Sequence, residues 1–260
     1  MSTRAMRRKL GLQVTVTAVA LVFVVGSAPD RGASASDAAQ GIASPDSSTT
    51  QASNPAPAPS RVGKSKLRMR YVTDFLGIED PLSEGGAWSN NGLDWARVIK
   101  IDGMALGTQT GNDGYNDSYA MLSGFPPNQL AKAVVRIAEN IDPSCTHEVE
   151  LSLRWSDSPN RAQGYEMILG LGYLGIVRWN GAIGDFTELA YVWIPSAKDG
   201  DVFKATAVGN VLTGYINNVP LIQATDSTYS TGNPGIGFFR RNCGTNQDFT
   251  FGSFKARALR

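Results

Sequence analysis

Three ionisable side chains lie close together in the segment THEVELSLRWS. Glu148 and Glu150 alternate with apolar residues, so a β-strand would place both carboxyls on one face, about 7 Å apart. Like charges at that distance raise one pKa and can provide a general acid beside a general base. Arg154 falls on the same predicted face. The segment therefore offers three catalytic candidates, Glu148, Glu150 and Arg154, although a solvated outer face with Arg154 as a counter-charge explains the same pattern.

The elements that must position these residues are predicted to be β-strands. Alternating apolar and polar positions recur from residue 130 onward, and turn clusters such as SDSPN, NGAIGD and SAKDGD separate them. The clearest strand places Val149, Leu151, Leu153 and Trp155 on one face. About 12 strands in one domain leave a two-sheet sandwich or a closed barrel as the physical options.

Four segments carry a resemblance to a known group of folds. They are GYEMIL (164–169), GIVRWNG (175–181), DVFKATAVGNVLTGYINN (201–218) and DSTYSTGNPGIGF (226–238). Their order resembles the concanavalin A-like lectin/glucanase superfamily, and more narrowly its laminin-G-like and 3-keto-disaccharide-hydrolase-like jelly rolls. The resemblance implies an all-β, two-sheet antiparallel jelly-roll sandwich over about residues 71–258. Because the superfamily holds lectins, binding modules, hydrolases and lyases, the fold does not decide the function.

The enzymes of this superfamily carry strand motifs that the chain lacks. Retaining glucanases of the fold have an E-x-D-x-x-E strand, and alginate lyases of the fold pair an R-x-E-L-R strand with a Q-x-H strand. Here Glu148 and Glu150 are the nearest acidic pair, and the chain's one histidine, His147, stands outside a Q-x-H motif. A hydrolase or lyase would need a non-standard site on the concave sheet.

A glycan-binding surface is the function that the sequence favours. Aromatic rings cover the C–H faces of sugars, and polar groups satisfy their hydroxyls. Tyr191 and Trp193 share one face of a predicted strand, and Tyr215 faces outward from another. Further polar contacts are assigned to Glu150, Arg154 and Arg178. The sequence predicts a secreted, lectin-like module that binds extracellular or envelope polysaccharide without catalysis; a hydrolase or lyase, and a protein-adhesion or structural module, remain alternatives.

The N-terminal quarter of the chain, residues 1–66, is predicted to lie outside the folded domain. Residues 1–35 combine a basic start, an apolar run and an Ala33-Ser34-Ala35 cleavage pattern, which is typical of a signal peptide. An uncleaved anchor is the alternative. Residues 36–66 form a Ser/Ala/Pro/Thr-rich linker with little to bury, predicted to be disordered, and 67–260 form the jelly-roll domain. The mature protein is expected in the extracellular space or periplasm, with no membrane span after cleavage.

The charge balance argues against a nucleic-acid partner. Residues 1–35 hold five of the 24 basic and one of the 23 acidic residues, which leaves 19 basic and 22 acidic residues. The one basic cluster left, residues 61–70, leads into the domain. A net charge of about −3 gives no overall field that attracts nucleic acid.

Two cysteines and three carboxylates are candidates for cross-links and metal. In an exported protein Cys145 and Cys243 are predicted to form a disulfide, with two buried free thiols as the alternative. No cofactor is predicted from the residues themselves. The resemblance implies a possible structural calcium near the first and last strands, where Asp74, Asp80 and Asp248 are the candidate ligands.

The stretch ATDSTYSTGNPGIGFF, residues 224–239, is predicted to be a connector. Its glycines and Pro234 suit a tight turn into the next strand. Asp226 and Tyr229 are the two residues in it that would reach the rim of a groove.

Overall fold

A computed structural model describes residues 69–90, 95–111, 117–182 and 184–260. The predicted signal peptide and the whole predicted linker lie outside these residues. Within them the chain forms fifteen β-strands and no α-helix, and thus no helix that could cross a membrane. The strands are β1 (Arg70–Thr73), β2 (Ile78–Glu79), β3 (Ala96–Ile101), β4 (Met104–Gly107), β5 (Ser118–Met121), β6 (Gln129–Ile137), β7 (Thr146–Ser158), β8 (Arg161–Gly170), β9 (Tyr173–Gly181), β10 (Phe186–Trp193), β11 (Val202–Val208), β12 (Val211–Ile216), β13 (Val219–Thr225), β14 (Asn233–Arg241) and β15 (Phe249–Ala258).

The strands form two antiparallel sheets. The front sheet has the order β10-β9-β8-β7-β14-β5, and the back sheet has the order β13-β12-β11-β6-β15, with β1 and β4 also paired to β15. Strand β3 joins the sheets, because it pairs in parallel with β5 and antiparallel with β4. This is the predicted jelly-roll sandwich, and the fold prediction is confirmed.

The core lies between the two sheets. Alternation along β7 turns Val149 and Leu151 inward, where they are fully buried. Phe251 and Phe254 face them from the back sheet, and the ring of Phe238 of β14 packs at a tilt against that of Phe251, with ring centroids 5.4 Å apart. Burial of these apolar surfaces is the main source of stability for a domain of this kind.

A second apolar cluster lies on the other, outer face of the front sheet. It consists of Trp95, Tyr119, Met121, Trp155, Ala162, Val177 and Trp179. An outer sheet face that is exposed to water carries mostly polar residues. The buried aromatic rings show that this outer face is covered by a packed apolar cluster, separate from the core between the sheets.

The predicted disulfide is present and is confirmed. Cys145 precedes β7 and Cys243 follows β14, and their Cα atoms are 5.1 Å apart. The bond closes a loop of 98 residues. Loop-closure entropy gives such a cross-link a stabilisation of about 4 to 5 kcal/mol. It holds together the ends of two paired strands that carry candidate site residues.

Candidate functional site

Glu148 and Glu150 both project from the outer face of the front sheet, as the alternation of β7 predicts. The Tyr173 hydroxyl donates a hydrogen bond to Glu148 Oε1. Glu150 is only 1% exposed, unlike the solvated carboxyl that the sequence allowed. It lies over Gly237 of β14, where a Cβ atom would collide with Glu150 Oε2 and reach within 2.7 Å of the Tyr119 ring. Gly237 is therefore a strand glycine that makes room for this carboxyl.

Glu166 of β8 brings a third carboxyl into the cluster. It is diagonal to Glu150 on the same sheet face, because Glu150 pairs with Ile168 and Glu166 pairs with Ser152. The Tyr119 hydroxyl lies 2.8 Å from Glu166 Oε1, and the Trp179 indole N–H donates to Glu166 Oε2 over 2.8 Å. Glu166 is thus held by aromatic side chains from β5 and β9.

Asp117, next to β5, completes the cluster. Its Oδ2 lies 3.1 Å from the Tyr119 hydroxyl, which also contacts Glu166. A hydroxyl has one proton to donate, so the oxygen of Tyr119 can accept from Asp117 while its proton goes to Glu166. This arrangement requires Asp117 to be protonated.

Burial raises the pKa of every carboxyl in the cluster. It raises the pKa of Glu148 to about 7. Burial and then the charge of Glu166 raise the pKa values of Asp117 and Glu150 well above their usual range. Burial raises the pKa of Glu166, and its hydrogen bonds from Trp179 and Tyr119 oppose this rise. Such a group of coupled, buried acids is more common at functional sites than elsewhere.

Two buried oxygens of β7 have no hydrogen-bond partner among the described residues. They are Glu150 Oε2 and Ser152 Oγ, and both belong to the outer face. Buried polar atoms are normally paired, so an unpartnered carboxyl oxygen that lines a cavity is placed to meet a polar group of a ligand.

An aromatic platform flanks the carboxyls. It consists of Tyr173 of β9 with Tyr191 and Trp193 of β10. Tyr173 and Tyr191 are stacked with centroids 5.4 Å apart, and Trp193 meets Tyr191 edge-on at 5.2 Å. Tyr191 is 41% exposed and Trp193 is 76% exposed. The sequence-based prediction that Tyr191 and Trp193 share a face is confirmed.

Tyr173 and Tyr191 of the platform line one groove of about 410 Å³ together with the carboxyls, and Trp193 lies next to its lining, in contact with both tyrosines. Between the platform and the carboxyls lies Gly175, whose absent side chain leaves the floor open as far as Ile168. The groove is lined by Asp117, Thr146, Glu148, Glu150, Glu166, Ile168, Tyr173, Gly175, Val177, Trp179, Phe186, Glu188, Tyr191, Phe239 and Arg241. A floor of acids with an aromatic end can bind a chain of polyhydroxylated rings.

Arg154 does not line this groove. A β-bulge between Leu153 and Ser156 interrupts the alternation, and Arg154 itself has a φ of 50°. Its guanidinium donates to the backbone carbonyls of Pro127, Tyr229 and Gly209. The bulge also moves Trp155 from the predicted inner face to the outer cluster, where its ring lies 4.6 Å from Tyr119.

Arg178 and Tyr215 also lie away from the groove. Arg178 donates to Asp226 Oδ2 over 2.6 Å, on the face of β9 opposite to Trp179. Tyr215 belongs to the back sheet, where the Lys204 ammonium lies 3.8 Å from the centre of its ring. The structure therefore brings together Glu148, Glu150, Tyr191 and Trp193 and separates Arg154, Arg178 and Tyr215 from them.

The connector that contains Asp226 and Tyr229 is anchored by hydrogen bonds to Tyr165 of β8. Tyr165 donates to Asp226 Oδ1 over 2.7 Å, and the Tyr229 backbone N–H donates to the Tyr165 hydroxyl over 2.9 Å. Both residues are absent from the lining of the groove. Their contacts fit the connector role that the sequence predicts.

The three predicted calcium ligands do not converge. Asp80 pairs with Arg97, Asp248 accepts from Thr245 over 2.7 Å, and Asp74 lies beside a shallow depression on the back sheet. Within the described part of the chain, one group of potential ligands is close enough for a single ion, and two of its members are the disulfide cysteines. Calcium stays a prediction without a ligand set.

Sequence reasoning missed Asp117, Glu166, Tyr119, Tyr173 and Trp179. The face of Glu166 could have been predicted, because GYEMIL alternates as a strand and places Glu166 on the face opposite to Tyr165. Which strand neighbours β7, and in which register, depends on the tertiary fold. Without that register the sequence cannot place Glu166 next to Glu150.

Fold and site together define an all-β sandwich with an acidic groove that ends in an aromatic platform. No protein-family model matches the chain, and no curated protein matches it significantly. Among solved structures, the exoplasmic/lumenal domain of VIP36 in its Ca²⁺-bound form is similar, with a TM-score of 0.53 and 12% identity over 74% of this chain and 90% of that chain. Its metal-free form gives a TM-score of 0.52 at 12% identity, over 73% of this chain and 94% of that chain.

The carbohydrate binding module CBM66 from Bacillus subtilis is also similar. It matches 68% of this chain and 95% of that chain, with a TM-score of 0.47 and 15% identity. At these identities the matches show the fold alone. The chain has the concanavalin A-like jelly-roll fold, as its sequence resemblance implies.

Proposed function

We propose that this protein is an exported carbohydrate-binding protein whose groove on the front sheet holds a polysaccharide chain. The aromatic platform beside the buried carboxyls carries this proposal. Trp193 keeps 76% of its surface exposed although it contacts Tyr191 and Tyr173. An exposed, ordered set of rings at the end of a polar groove matches the faces of a sugar chain.

Two further observations support the proposal. An adhesion or structural module would carry a polar outer face without an aromatic platform, whereas this outer face carries such a platform. Export is supported by the disulfide and by the signal-like N-terminal sequence.

Replacing Trp193 with alanine should weaken glycan binding about tenfold, because one stacking surface is worth roughly 1 to 1.5 kcal/mol. Trp193 is too exposed for its loss to disturb the core. A glycan array followed by calorimetric titration of each hit measures the change. Tyr215→Ala is the matched control, since it removes an aromatic ring from the back sheet, and it should bind within twofold of wild type.

Equal affinities of wild type and Trp193→Ala would exclude the platform from the site. A loss of affinity in Tyr215→Ala alone would move the site to the back sheet.

A further inference from the structure

We propose that the groove hydrolyses glycosidic bonds within an uncharged polysaccharide, with Glu150 as the general acid and Glu148 as the general base. This rests on the proposed function, because the same groove must first bind the chain. It replaces the sequence-based expectation of binding without catalysis. The new information is the cluster of carboxyls from three strand regions that the sequence could not bring together.

The position of the platform sets the path of the sugar chain. Trp193 pairs with Tyr173, and Tyr191 pairs with Gly175. The platform therefore lies on two rows of cross-strand neighbours, and both rows continue onto the next strands of the sheet. On β7 the same rows contain Glu148 and Glu150. A glycan that leaves the platform across the strands passes over Gly175 and reaches the gap between the two carboxyls.

Glu150 has the bonding pattern of a proton donor. Glu150 and Glu166 are diagonal neighbours on one sheet face and are both buried, so a negative charge on Glu166 opposes a second negative charge on Glu150. Glu166 already faces donors from Tyr119 and Trp179, so it is the better place for the negative charge. The proton therefore belongs to Glu150, whose Oε2 has no partner among the described residues and lines the groove.

Glu148 has the bonding pattern of a base. It accepts the hydroxyl proton of Tyr173, which favours the ionised carboxylate, and it is less deeply buried than Glu150. Two residues along a strand advance the backbone by about 7 Å, and carboxyls at that spacing leave room for a water molecule between base and sugar. A separation of about 5 to 5.5 Å would instead suit a covalent intermediate. The spacing favours hydrolysis with inversion at the anomeric carbon.

The reaction balances with one water molecule. Glu150 gives its proton to the glycosidic oxygen as the bond to the anomeric carbon breaks, and the bonding electrons stay on that oxygen. Glu148 takes a proton from water, whose oxygen forms the new bond to the anomeric carbon. The products are a new reducing end and a new free hydroxyl, and solvent returns the proton from Glu148 to Glu150.

The charge of the groove selects an uncharged chain. Five carboxyls line the groove, those of Asp117, Glu148, Glu150, Glu166 and Glu188, and Arg241, at the exposed rim, is the one basic residue in the lining. A uronate on the floor would place its carboxylate against these acids, and Arg241 at the rim is the only cation in the lining that could offset them. Uronate elimination, the lyase alternative, is disfavoured for the same reason.

The test begins with binding and then follows the bound glycan. Soluble β-glucan, xylan, galactomannan and polygalacturonate are titrated into the full-length protein, and each bound polymer is then incubated with it. New reducing ends report hydrolysis, ultraviolet absorbance reports an unsaturated uronate, and proton NMR reports the first anomer formed. The variants are Glu150→Gln and Glu148→Gln, with Glu139→Gln as the control, because Glu139 is an exposed carboxyl outside the groove lining.

We expect a neutral polymer to be cut with inversion. Glu150→Gln and Glu148→Gln should each lower kcat/KM by about 10²- to 10⁴-fold while their Kd stays within a few-fold of wild type. Glu139→Gln should match wild type. Binding without product overturns the hydrolysis proposal and leaves the binding proposal intact, as does wild-type activity in Glu150→Gln. Absence of binding to any polymer overturns the binding proposal and the hydrolysis proposal with it.

The pH profile provides a readout that a merely structural role would not change. Burial raises the pKa of Glu148 to about 7, so kcat/KM should rise with pH through about 7 as this base ionises. The titratable or charged groups on the elements around Glu148 are Asp117, Glu150, Glu166, Tyr173, Glu188, Tyr191 and Arg241. A rate that falls between pH 6 and 8 would contradict the assignment of Glu148 as the base.

Discussion

At pH 8 the Glu148→Gln protein is expected to be more stable than wild type by about 2 to 3 kcal/mol, and at pH 4.5 the two should be equally stable. The reason is the pKa of Glu148, which burial raises to about 7 in the folded state from the ordinary value of 4.5. Between these values the folded state binds more protons than the unfolded state, so the free energy of unfolding falls as pH rises. One pKa unit corresponds to about 1.4 kcal/mol. Glutamine carries no charge and avoids this loss.

Chemical denaturation followed by fluorescence at pH 4.5 and pH 8 measures the difference. Glu139→Gln is the control for loss of a carboxyl at the surface, and it should track wild type at both pH values. If Glu148→Gln had the same stability as wild type at pH 8, Glu148 would be solvated, and the raised pKa assigned to it would be wrong. A carboxyl that costs stability at neutral pH is typical of a site retained for function.

Arg154→Met is expected to destabilise the domain by about 3 to 5 kcal/mol without changing the affinity of the remaining folded protein for glycan. The side chain is 3% exposed, and its guanidinium bonds to three backbone carbonyls at one end of the sandwich. Methionine fills part of the space but leaves these buried acceptors unpaired. The connector at Tyr229 would lose one of its anchors.

Urea unfolding measures this loss, and titration with a bound glycan under native conditions measures affinity. Arg161→Met is the matched control, because Arg161 is an exposed arginine at the start of β8, and it should stay within about 0.5 kcal/mol of wild type. A variant at Arg154 with wild-type stability and no glycan binding would contradict the anchoring role and return Arg154 to the ligand site.

Much of the fold followed from local pattern. Alternation in β7 placed Glu148 and Glu150 on one face, and the same rule paired Tyr191 with Trp193. The disulfide between Cys145 and Cys243 was predicted because the chain has two cysteines and a signal-like N-terminal sequence. These features depend on short sequence spacing or on residue type, which a single sequence displays directly.

The rest depends on long-range geometry. A bulge after Leu153 reversed the side-chain order, so Arg154 and Trp155 left the faces that alternation gives them. The approach of Glu166 to Glu150 depends on the register between β7 and β8, and that of Asp117 depends on β5 pairing with β14. The local alternation of apolar and polar residues does not indicate which strands pair or in which register.

Quenching of tryptophan fluorescence by acrylamide tests the glycan-binding groove most directly. Trp193 is 76% exposed, whereas the four other tryptophans, Trp88, Trp95, Trp155 and Trp179, are at most 6% exposed. In the free protein, acrylamide should therefore quench mainly Trp193. We predict that a saturating neutral glycan lowers the quenching constant, and that Trp193→Phe removes both the accessible emission and its protection. Saturated binding with an unchanged quenching constant would contradict the placement of the site on the front sheet.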